Sequence, residues 1–372
     1  MARLEILDVG SNKGKALKAN AEEALHELGM DLPIEDVSDI SRLLEYGISG
    51  IPALVVDGRV VLQKMVPSAK ELRVMLSILL SSPTGSHSLT LRSIVAPTDF
   101  SEISFNALAY AKSIAAVQSA GLSLVHVHQA QAIAPGPFPV PASQEDVEWK
   151  NGQLDSFLGR PVYTNGFESG RVPMRKELLI GPVVEEIRRL SELSDSDMIV
   201  MGSTGKTNLL NRLFGSVSSE IARRASCPVL LVPAEARFRG FRQIIFAGNY
   251  EPHEERVLPR LLSFARRFDS QVQYVHVNTN AEQEYVVNKI PLLPVGESRQ
   301  NISELTTIES SDILDGLLRY AAEQKADLIA MSTTQRSFME ELFHRSVTRK
   351  AVLHIQIPLL IMHPEDMREA RS

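Results

Sequence analysis

The sequence has very little cysteine, because Cys227 is the only one in 372 residues. One thiol cannot form a disulfide within the chain or supply a four-cysteine zinc site, and scarce cysteine is typical of a reducing compartment. No apolar run approaches the roughly 18 residues that a membrane-spanning helix needs. The first residues also lack the basic and apolar segments of a secretory signal. We therefore expect a cytoplasmic protein with no membrane partner.

The chain also lacks an excess of positive charge. Its 39 Lys and Arg residues and 45 Asp and Glu residues give a net charge of −6. Such a field repels nucleic acid and anionic lipid, so neither is expected as a partner. Hydrophobic residues make up 44% and charged residues 23% of the chain, which is usual for globular proteins. At roughly 100 to 200 residues per domain, the length predicts several domains.

An internal repeat occupies most of the chain. At an offset of 150 residues, Val125-His126-Val127 matches Val275-His276-Val277. At an offset of 130 residues, the run that begins at Asp197 matches the run that begins at Asp327. The difference of 20 residues is extra chain in the first copy. We assign it to an irregular loop around the proline-rich stretch 135–141.

Each copy alternates short apolar runs with helical patterns, as βαβ units in a parallel sheet do. In the first copy the predicted strands are 93–96, 123–128, 171–178, 197–201 and 229–232, and the predicted helices are 106–118, 183–193 and 217–225. In the second copy the predicted helices are 253–267, 312–324 and 346–353. Both copies are therefore expected to be α/β domains. We place the first repeat at 88–236 and the second repeat at 240–364.

Residues 1–82 precede the repeats and end at a linker of flexible composition, Ser81–Ser86. Their pattern predicts a strand, a helix, a strand, a short helix, two strands around the Asp57-Gly58 turn, and a last helix. This segment is expected to be a small α/β domain of a different kind.

Glycines follow the fourth strand of the first repeat with the spacing Gly-x2-Gly-x9-Gly-Ser. They are Gly202, Gly205 and Gly215, and Ser216 follows the last of them. Glycine lets backbone N–H groups approach a ligand, and a helix that starts here directs N–H groups and partial positive charge at an anion. The pattern predicts a phosphate site. A Walker loop is excluded, because its earlier glycine would fall at Val200. A plainer interpretation stays open, in which the first two glycines make a tight turn and Ser216 only caps a helix.

Other candidate residues have simpler interpretations beside the functional ones. Asp99 ends the first strand, where open α/β sheets bind ligands, but it could instead cap the next helix, for which Ser101 competes. We interpret His126 and His128 as packed or hydrogen-bonded residues, because no cysteine or carboxylate cluster completes a metal site. Cys227 is interpreted as an inert buried thiol. No nucleophile and base pattern stands out, so no catalytic residue is predicted.

With this motif the two copies resemble universal stress protein domains, over residues 90–234 and 240–364. The resemblance implies a five-stranded α/β sheet in each copy and, in the first, a bound ATP that Mg²⁺ can accompany. It implies that the adenosine end lies near Pro97, Thr98 and Asp99 and the backbone of Val127. It implies that the phosphates lie on Met201, Gly202, Thr204, Gly205, Gly215, Ser216, Val217 and Ser218.

The second repeat departs from the motif at each decisive place. Ser332, Gln335 and Arg345 replace the three glycines, and Asn249 replaces Asp99. The side chains of Gln335 and Arg345 would fill the space that phosphates need. The second repeat is therefore not expected to bind the nucleotide.

Residues 1–82 resemble small thioredoxin-like proteins, which carry Cys-x-x-Cys after the first strand and a cis proline before the third. Ser11 and Gly14 stand at the cysteine positions, and Ile51-Pro52 keeps the proline. The resemblance implies a kept fold without thiol chemistry, which requires a thiolate. This domain is expected either to dock an extended peptide beside Ile51-Pro52 or to steady the two repeats.

The resemblance to stress proteins, together with the intact motif, implies a stress-response regulator or scaffold that binds an adenine nucleotide and acts on an unknown protein client. A ligand-free interaction scaffold and a slow ATPase or phosphotransferase are the alternatives. The three glycines argue against the first, and the lack of an evident general base argues against the second. The last strands, 229–232 and 359–362, are expected to pair within the chain, because an open apolar edge strand invites aggregation.

Overall fold

The structure is a computed structural model that describes residues 3–48, 50–80, 89, 91–129, 143–162, 172–192, 196–204, 214–279, 286–291, 302–333 and 356–364. The chain forms two compact units. Unit 1 holds Met1–Ser88, Ile245–Arg266 and Ser270–Gly316, and unit 2 holds Leu89–Ile244, Arg267–Asp269 and Leu317–Ser372. The front half of the second repeat therefore belongs to unit 1 and most of its back half to unit 2.

The N-terminal part of unit 1 is a four-stranded sheet with helices. Its elements are β1 (Leu4–Leu7), α1 (Asn12–Glu27), β2 (Ile34–Val37), α2 (Ile40–Glu45), β3 (Ala53–Val56), β4 (Arg59–Gln63) and α3 (Ala69–Leu80). The strand order is β2-β1-β3-β4, with β2 parallel and β3 antiparallel to β1. The Ile51-Pro52 bond is cis, as expected. The predicted order of elements is therefore present.

The first repeat lies in unit 2. Its elements are β5 (Ser93–Pro97), α4 (Glu102–Gln118), β6 (Gly121–His128), α5 (Gln144–Leu158), β7 (Met174–Ile180), α6 (Val183–Glu192), β8 (Met198–Gly202), α7 (Ser216–Arg224) and β9 (Val229–Val232). The strand order is β9-β8-β5-β6-β7, and all neighbours are parallel. Strands β8 and β9 are buried throughout, as expected of a parallel sheet covered by helices.

One helix of the first repeat was not predicted. It is α5, which follows the proline-rich stretch that was expected to be an irregular loop. Ser143 caps this helix by accepting a hydrogen bond from the Asp146 N–H at 3.1 Å. A Ser followed three residues later by Asp is a helix-start signal. The proline-rich stretch 135–141 lies outside the described residues.

The second repeat continues the chain. Its elements are β10 (Gln243–Ala247), α8 (Glu254–Arg266), β11 (Gln271–Asn278), β12 (Val286–Pro291), β13 (Ile302–Glu309), α9 (Ile313–Glu323), β14 (Leu328–Ser332) and β15 (Leu359–Met362). In unit 1, β13 pairs in parallel with β11 and antiparallel with β12. In unit 2, β15 pairs in parallel with β14 and antiparallel with β9. The predicted helix 346–353 lies outside the described residues.

Matching hydrogen bonds support both sequence offsets. The Asp197 carboxylate accepts from the Ser93 N–H at 2.9 Å, and the Asp327 carboxylate accepts from the Gln243 N–H at 3.0 Å. These aspartates tie the start of one strand to the start of its neighbour. The repeats therefore share a frame at the amino ends of their strands.

At the carboxyl ends, the front half of the second repeat has a different interior. Tyr274 is fully buried, and its hydroxyl donates to the Glu254 carboxylate at 2.5 Å and accepts from the Tyr250 N–H at 2.6 Å. Burial and this carboxylate raise the pKa of the Tyr274 hydroxyl, which keeps it a donor. A Cβ atom on Gly248 would lie 2.1 Å from Tyr274 Cζ. Gly248 is therefore required because the tyrosine ring fills its side-chain space.

We predict that Gly248→Thr, which introduces the residue of the first repeat, destabilises this region by about 3 kcal/mol through overpacking. The triple variant that adds Tyr274→Leu and Glu254→Ser has the residues of the first repeat at all three positions. It should recover most of that loss. Native-state hydrogen exchange of the β11 amides measures both effects. Unchanged protection in the single variant would contradict the packing of Tyr274 on Gly248.

Candidate functional site

A cavity of about 260 Å³ lies at the carboxyl edge of the first repeat's sheet. Strand β8 pairs in parallel with β5, so the loops that follow both strands leave at this edge. Every predicted site residue that the structure describes lines the cavity: Pro97, Thr98, Asp99, Val127, Met201, Gly202, Thr204, Gly215, Ser216, Val217 and Ser218. Gly205 lies outside the described residues. The fold thus brings the residues predicted for the adenosine end together with those predicted for the phosphates, although the two sets are far apart in the sequence.

The amino end of α7 forms one side of this cavity. Its N-cap is Gly215, which makes no side-chain capping bond, and Ser216 is the first helical residue. The interpretation of Ser216 as a simple helix cap is therefore wrong. Backbone N–H groups of the first turn, which helices leave without intrahelical partners, lie beside the cavity with the positive end of the helix dipole. This arrangement suits an anion.

Short hydrogen bonds fix the loop end against the strand end. The Gly215 N–H donates to the Ser203 carbonyl oxygen at 2.8 Å. The Ser218 hydroxyl lies 2.6 Å from the same oxygen and 3.0 Å from the Gly215 carbonyl oxygen. Because a hydroxyl has one proton and both of these oxygens are acceptors, the Ser218 side chain serves to position the loop.

Gly202 has a packing role that the sequence did not indicate. A Cβ atom at this position would lie 2.8 Å from Ile103 Cγ2 and 3.2 Å from the Thr204 carbonyl oxygen. The glycine therefore lets α4 approach the end of β8. Close approach of a ligand was the predicted reason for this glycine, and helix packing is the reason that the contacts give.

Asp99, in the loop after β5, also lines the cavity. Its carboxylate accepts from the Ser101 N–H at 3.0 Å, while Ser101 itself caps α4 by accepting from the Ser104 N–H at 3.1 Å. The alternative that Asp99 caps the helix is therefore wrong. The Thr98 hydroxyl accepts from the Phe100 N–H at 2.9 Å, which steadies the turn. A half-buried carboxylate is thus held at the cavity wall.

His126 also lines the cavity, although the sequence analysis placed it outside the site. Its Nδ1 lies 2.8 Å from the Thr98 carbonyl oxygen, and its ring centroid lies 4.4 Å from that of Phe100. The interpretation as a hydrogen-bonded strand residue is confirmed. Within the part of the chain that the structure describes, no group of three or more His, Cys, Asp or Glu side chains is arranged to hold a metal ion.

Further lining residues were not predicted. They are Ser104, Val125, Val183, Ile187 and Phe214. Val183 and Ile187 are four residues apart on α6, so they share the helix face that meets the cavity. That spacing was visible in the sequence, but it did not distinguish a cavity wall from ordinary core packing.

The N-terminal domain was expected to have lost its thiol chemistry. The Ser11 hydroxyl donates to Asp8 Oδ1 at 2.8 Å, and its N–H donates to Asp8 Oδ2 at 2.5 Å. A Cβ atom on Gly14 would lie 2.3 Å from Asp8 Cγ. The Asp8 carboxylate thus fills the space of the second cysteine. Cys227, outside this domain, is buried as interpreted.

We predict that Ser11→Cys/Gly14→Cys destabilises the N-terminal domain by about 2 kcal/mol, because the side chain introduced at Gly14 collides with Asp8. Adding Asp8→Ala should relieve the collision and allow the two introduced thiols to form a disulfide. Thermal unfolding and thiol titration measure the two outcomes. Equal stability and equal disulfide formation with and without Asp8→Ala would contradict this role of the carboxylate.

The structure thus defines an α/β protein in which parallel-sheet repeats follow a thioredoxin-like sheet. The model of the universal stress protein family matches residues 90–233 and 240–363, and a thioredoxin domain model matches residues 2–77. The chain belongs to the universal stress protein family. None of the helices that the structure describes is long and apolar enough to cross a bilayer.

Individual relatives resemble separate parts of the chain. Universal stress protein MJ0531 of Methanocaldococcus jannaschii is 33% identical over 141 residues, which are 38% of this chain and 81% of that protein. A thioredoxin of Methanothermobacter thermautotrophicus is 34% identical over 77 residues, which are 21% of this chain and 100% of that protein. A solved universal stress protein of Archaeoglobus fulgidus has a TM-score of 0.53 and 18% identity, covers 75% of this chain and 98% of its own, and shows the fold alone.

Proposed function

We propose that the first repeat binds one adenine nucleotide, ATP, and that the protein is a nucleotide-responsive regulator or scaffold of the stress response. The observation that carries this proposal is that the α7 amino end and Asp99 line one cavity. The helix end supports an anion site, and the Asp99 carboxylate supports an acceptor for hydroxyl groups.

The phosphate end of the ligand is assigned to the backbone of Gly215, Ser216, Val217 and Ser218. Uncapped N–H groups and the helix dipole together stabilise negative charge. The bonds from Gly215 and Ser218 to Ser203 hold this backbone in place before a ligand arrives. Mg²⁺ would accompany the nucleotide through phosphate oxygens, as it commonly does.

We assign the nucleoside end to Asp99 and to apolar side chains that line the same cavity. The Asp99 carboxylate can accept hydrogen bonds from sugar hydroxyls, and the apolar side chains of Val127, Val183 and Ile187 can pack on a base. We propose that the second repeat lacks this function, because Asn249 removes the carboxylate charge at the position of Asp99. Its Gln335, Arg345 and Ser346 lie outside the described residues.

We predict one ATP per chain and at least about a 10-fold loss of affinity in either Asp99→Ala or Gly215→Val. The first change removes the acceptor, and the second places a branched side chain at the helix start. Titration calorimetry gives stoichiometry and affinity, and mass spectrometry identifies nucleotide released from the purified protein. Asn249→Ala, at the matching position of the second repeat, is the control and should bind as the parent does. Two sites per chain, or unchanged affinity in both variants, would sink the proposal.

We also propose that the repeats pair within the chain through their last strands and that the domains extend over 1–82, 88–236 and 240–364. Leu230 of β9 lies opposite Leu360 of β15, and both side chains are buried. Antiparallel pairing gives each apolar strand a neighbour on its outer edge. The second repeat would then persist as a packing partner for the first.

We predict that a fragment of residues 88–236 dimerises or aggregates, because β9 becomes an open apolar edge. Analytical ultracentrifugation over a range of concentrations measures this association. A fragment that stays a well-behaved monomer at high concentration would count against the pairing.

A further inference from the structure

In the first repeat, the helix α5 covers the loop after β5 and the first turns of α4. The Phe157 ring packs edge-on against Phe100 and Phe105, with centroid distances of 5.7 Å and 5.4 Å. The Lys150 ammonium lies 5.3 Å from the centroid of Phe100. This part of the repeat would be open to water without α5.

The second repeat has a shorter connection at the same place. Strand β11 ends at Asn278 and β13 begins at Ile302, and the described residues between them form the strand β12 and no helix. Tyr250 and Glu255 stand at the positions of Phe100 and Phe105, at the 150-residue offset. Both members of the first pair, Phe100 and Tyr250, have positive φ, at 63° and 56°. The backbone therefore adopts the same left-handed conformation at this residue in both repeats.

Helix α3 of the N-terminal domain contacts these equivalent positions. Arg73 Nη2 donates to the Tyr250 carbonyl oxygen at 2.5 Å, and Arg73 Nη1 lies 2.6 Å from a Glu255 carboxylate oxygen. On the same helix, the Glu71 carboxylate accepts from the Thr307 hydroxyl of β13 at 3.4 Å. In the first repeat, Phe157 of α5 contacts both positions. In the second repeat, Arg73 of α3 does so.

The charged groups of this contact are buried or partly buried. The Arg73 side chain is only 4% exposed, and its Nε also lies 3.3 Å from the Glu27 carboxylate of α1. A buried guanidinium is tolerated when its charge is paired, and removal of a partner leaves an uncompensated charge. Glu255 is partly buried, and burial raises the pKa of its carboxyl group, whereas the charge of Arg73 lowers it. Arg73 therefore stabilises the ionised form of Glu255. Loss of either Arg73 or Glu255 would therefore leave the other charge without its partner.

We infer that the N-terminal thioredoxin-like domain is the covering element of the second repeat, with α3 standing in for the helix that the first repeat supplies itself. The occupant of this surface is the chain's own residues 69–80, and the anchor is Arg73. Residues 1–82 are then docked on the second repeat and are not merely tethered to it by the linker. The inference does not depend on nucleotide binding in the first repeat.

The test separates docking from tethering in the full chain. A protease recognition sequence is inserted between Ser82 and Pro83, the folded protein is cleaved there, and size-exclusion chromatography shows whether the two pieces stay together. In the parent protein we expect co-elution. Arg73→Glu and Glu255→Arg should each release the N-terminal piece, with at least a 10-fold rise in its dissociation constant, because like charges then face each other. The double reversal Arg73→Glu/Glu255→Arg should restore part of the binding.

Matched controls make the same charge changes at exposed positions outside the contact. Arg59→Glu lies on an exposed position of the same domain, and Glu323→Arg lies at the exposed last residue of α9. Both should co-elute as the parent does. Hydrogen exchange in β1 and β11 reports whether a variant still folds, and Glu255→Arg keeps the test valid if Arg73→Glu unfolds its own domain. Separation of the parent pieces, or release by the controls as much as by the contact variants, would overturn the inference.

Discussion

The parallel placement of β8 between β5 and β9 is the constraint on which the first repeat's site depends. Parallel strands end at one edge of the sheet, so the loop with Asp99 and the loop after Gly202 must meet there. Gly202 then allows α4 to pack closely on β8. The start of α7 is held against the same strand end by Gly215 and Ser218. A cavity with an uncapped helix end follows from this geometry.

The two repeats keep one frame and fill it differently. Asp197 and Asp327 make equivalent bonds at the amino ends of the strands. At the carboxyl ends, Tyr274 takes up space in the second repeat and Gly248 is the compensating change. A buried tyrosine paired with a buried carboxylate is stable only when both are satisfied, so these changes must occur together. The hydrogen bonds at the amino ends of the strands can thus be kept while the side chains at the carboxyl ends change.

The N-terminal domain shows the same separation of fold from chemistry. Its sheet order and cis Ile51-Pro52 bond are present, while Asp8 fills the position where a second thiol would stand. Its last helix supplies Arg73, a nearly buried cation whose partners come from α1 and α8. A domain whose reactive position is closed can still contribute a surface, because packing requires shape and charge and not a nucleophile.

The sequence by itself determined the repeat, most strand and helix positions, the phosphate-type motif and the loss of the cysteines, because each is written in local spacing or residue type. Helix α5 was missed, since the proline-rich stretch before it dominated the interpretation of that segment. The cap of α7 and the role of Gly202 needed the neighbouring atoms of Gly215 and Ile103. Only the tertiary structure decided that Arg73 meets Glu255. Contacts between residues so distant in the chain depend on how whole elements pack, and local periodicity carries no record of that packing.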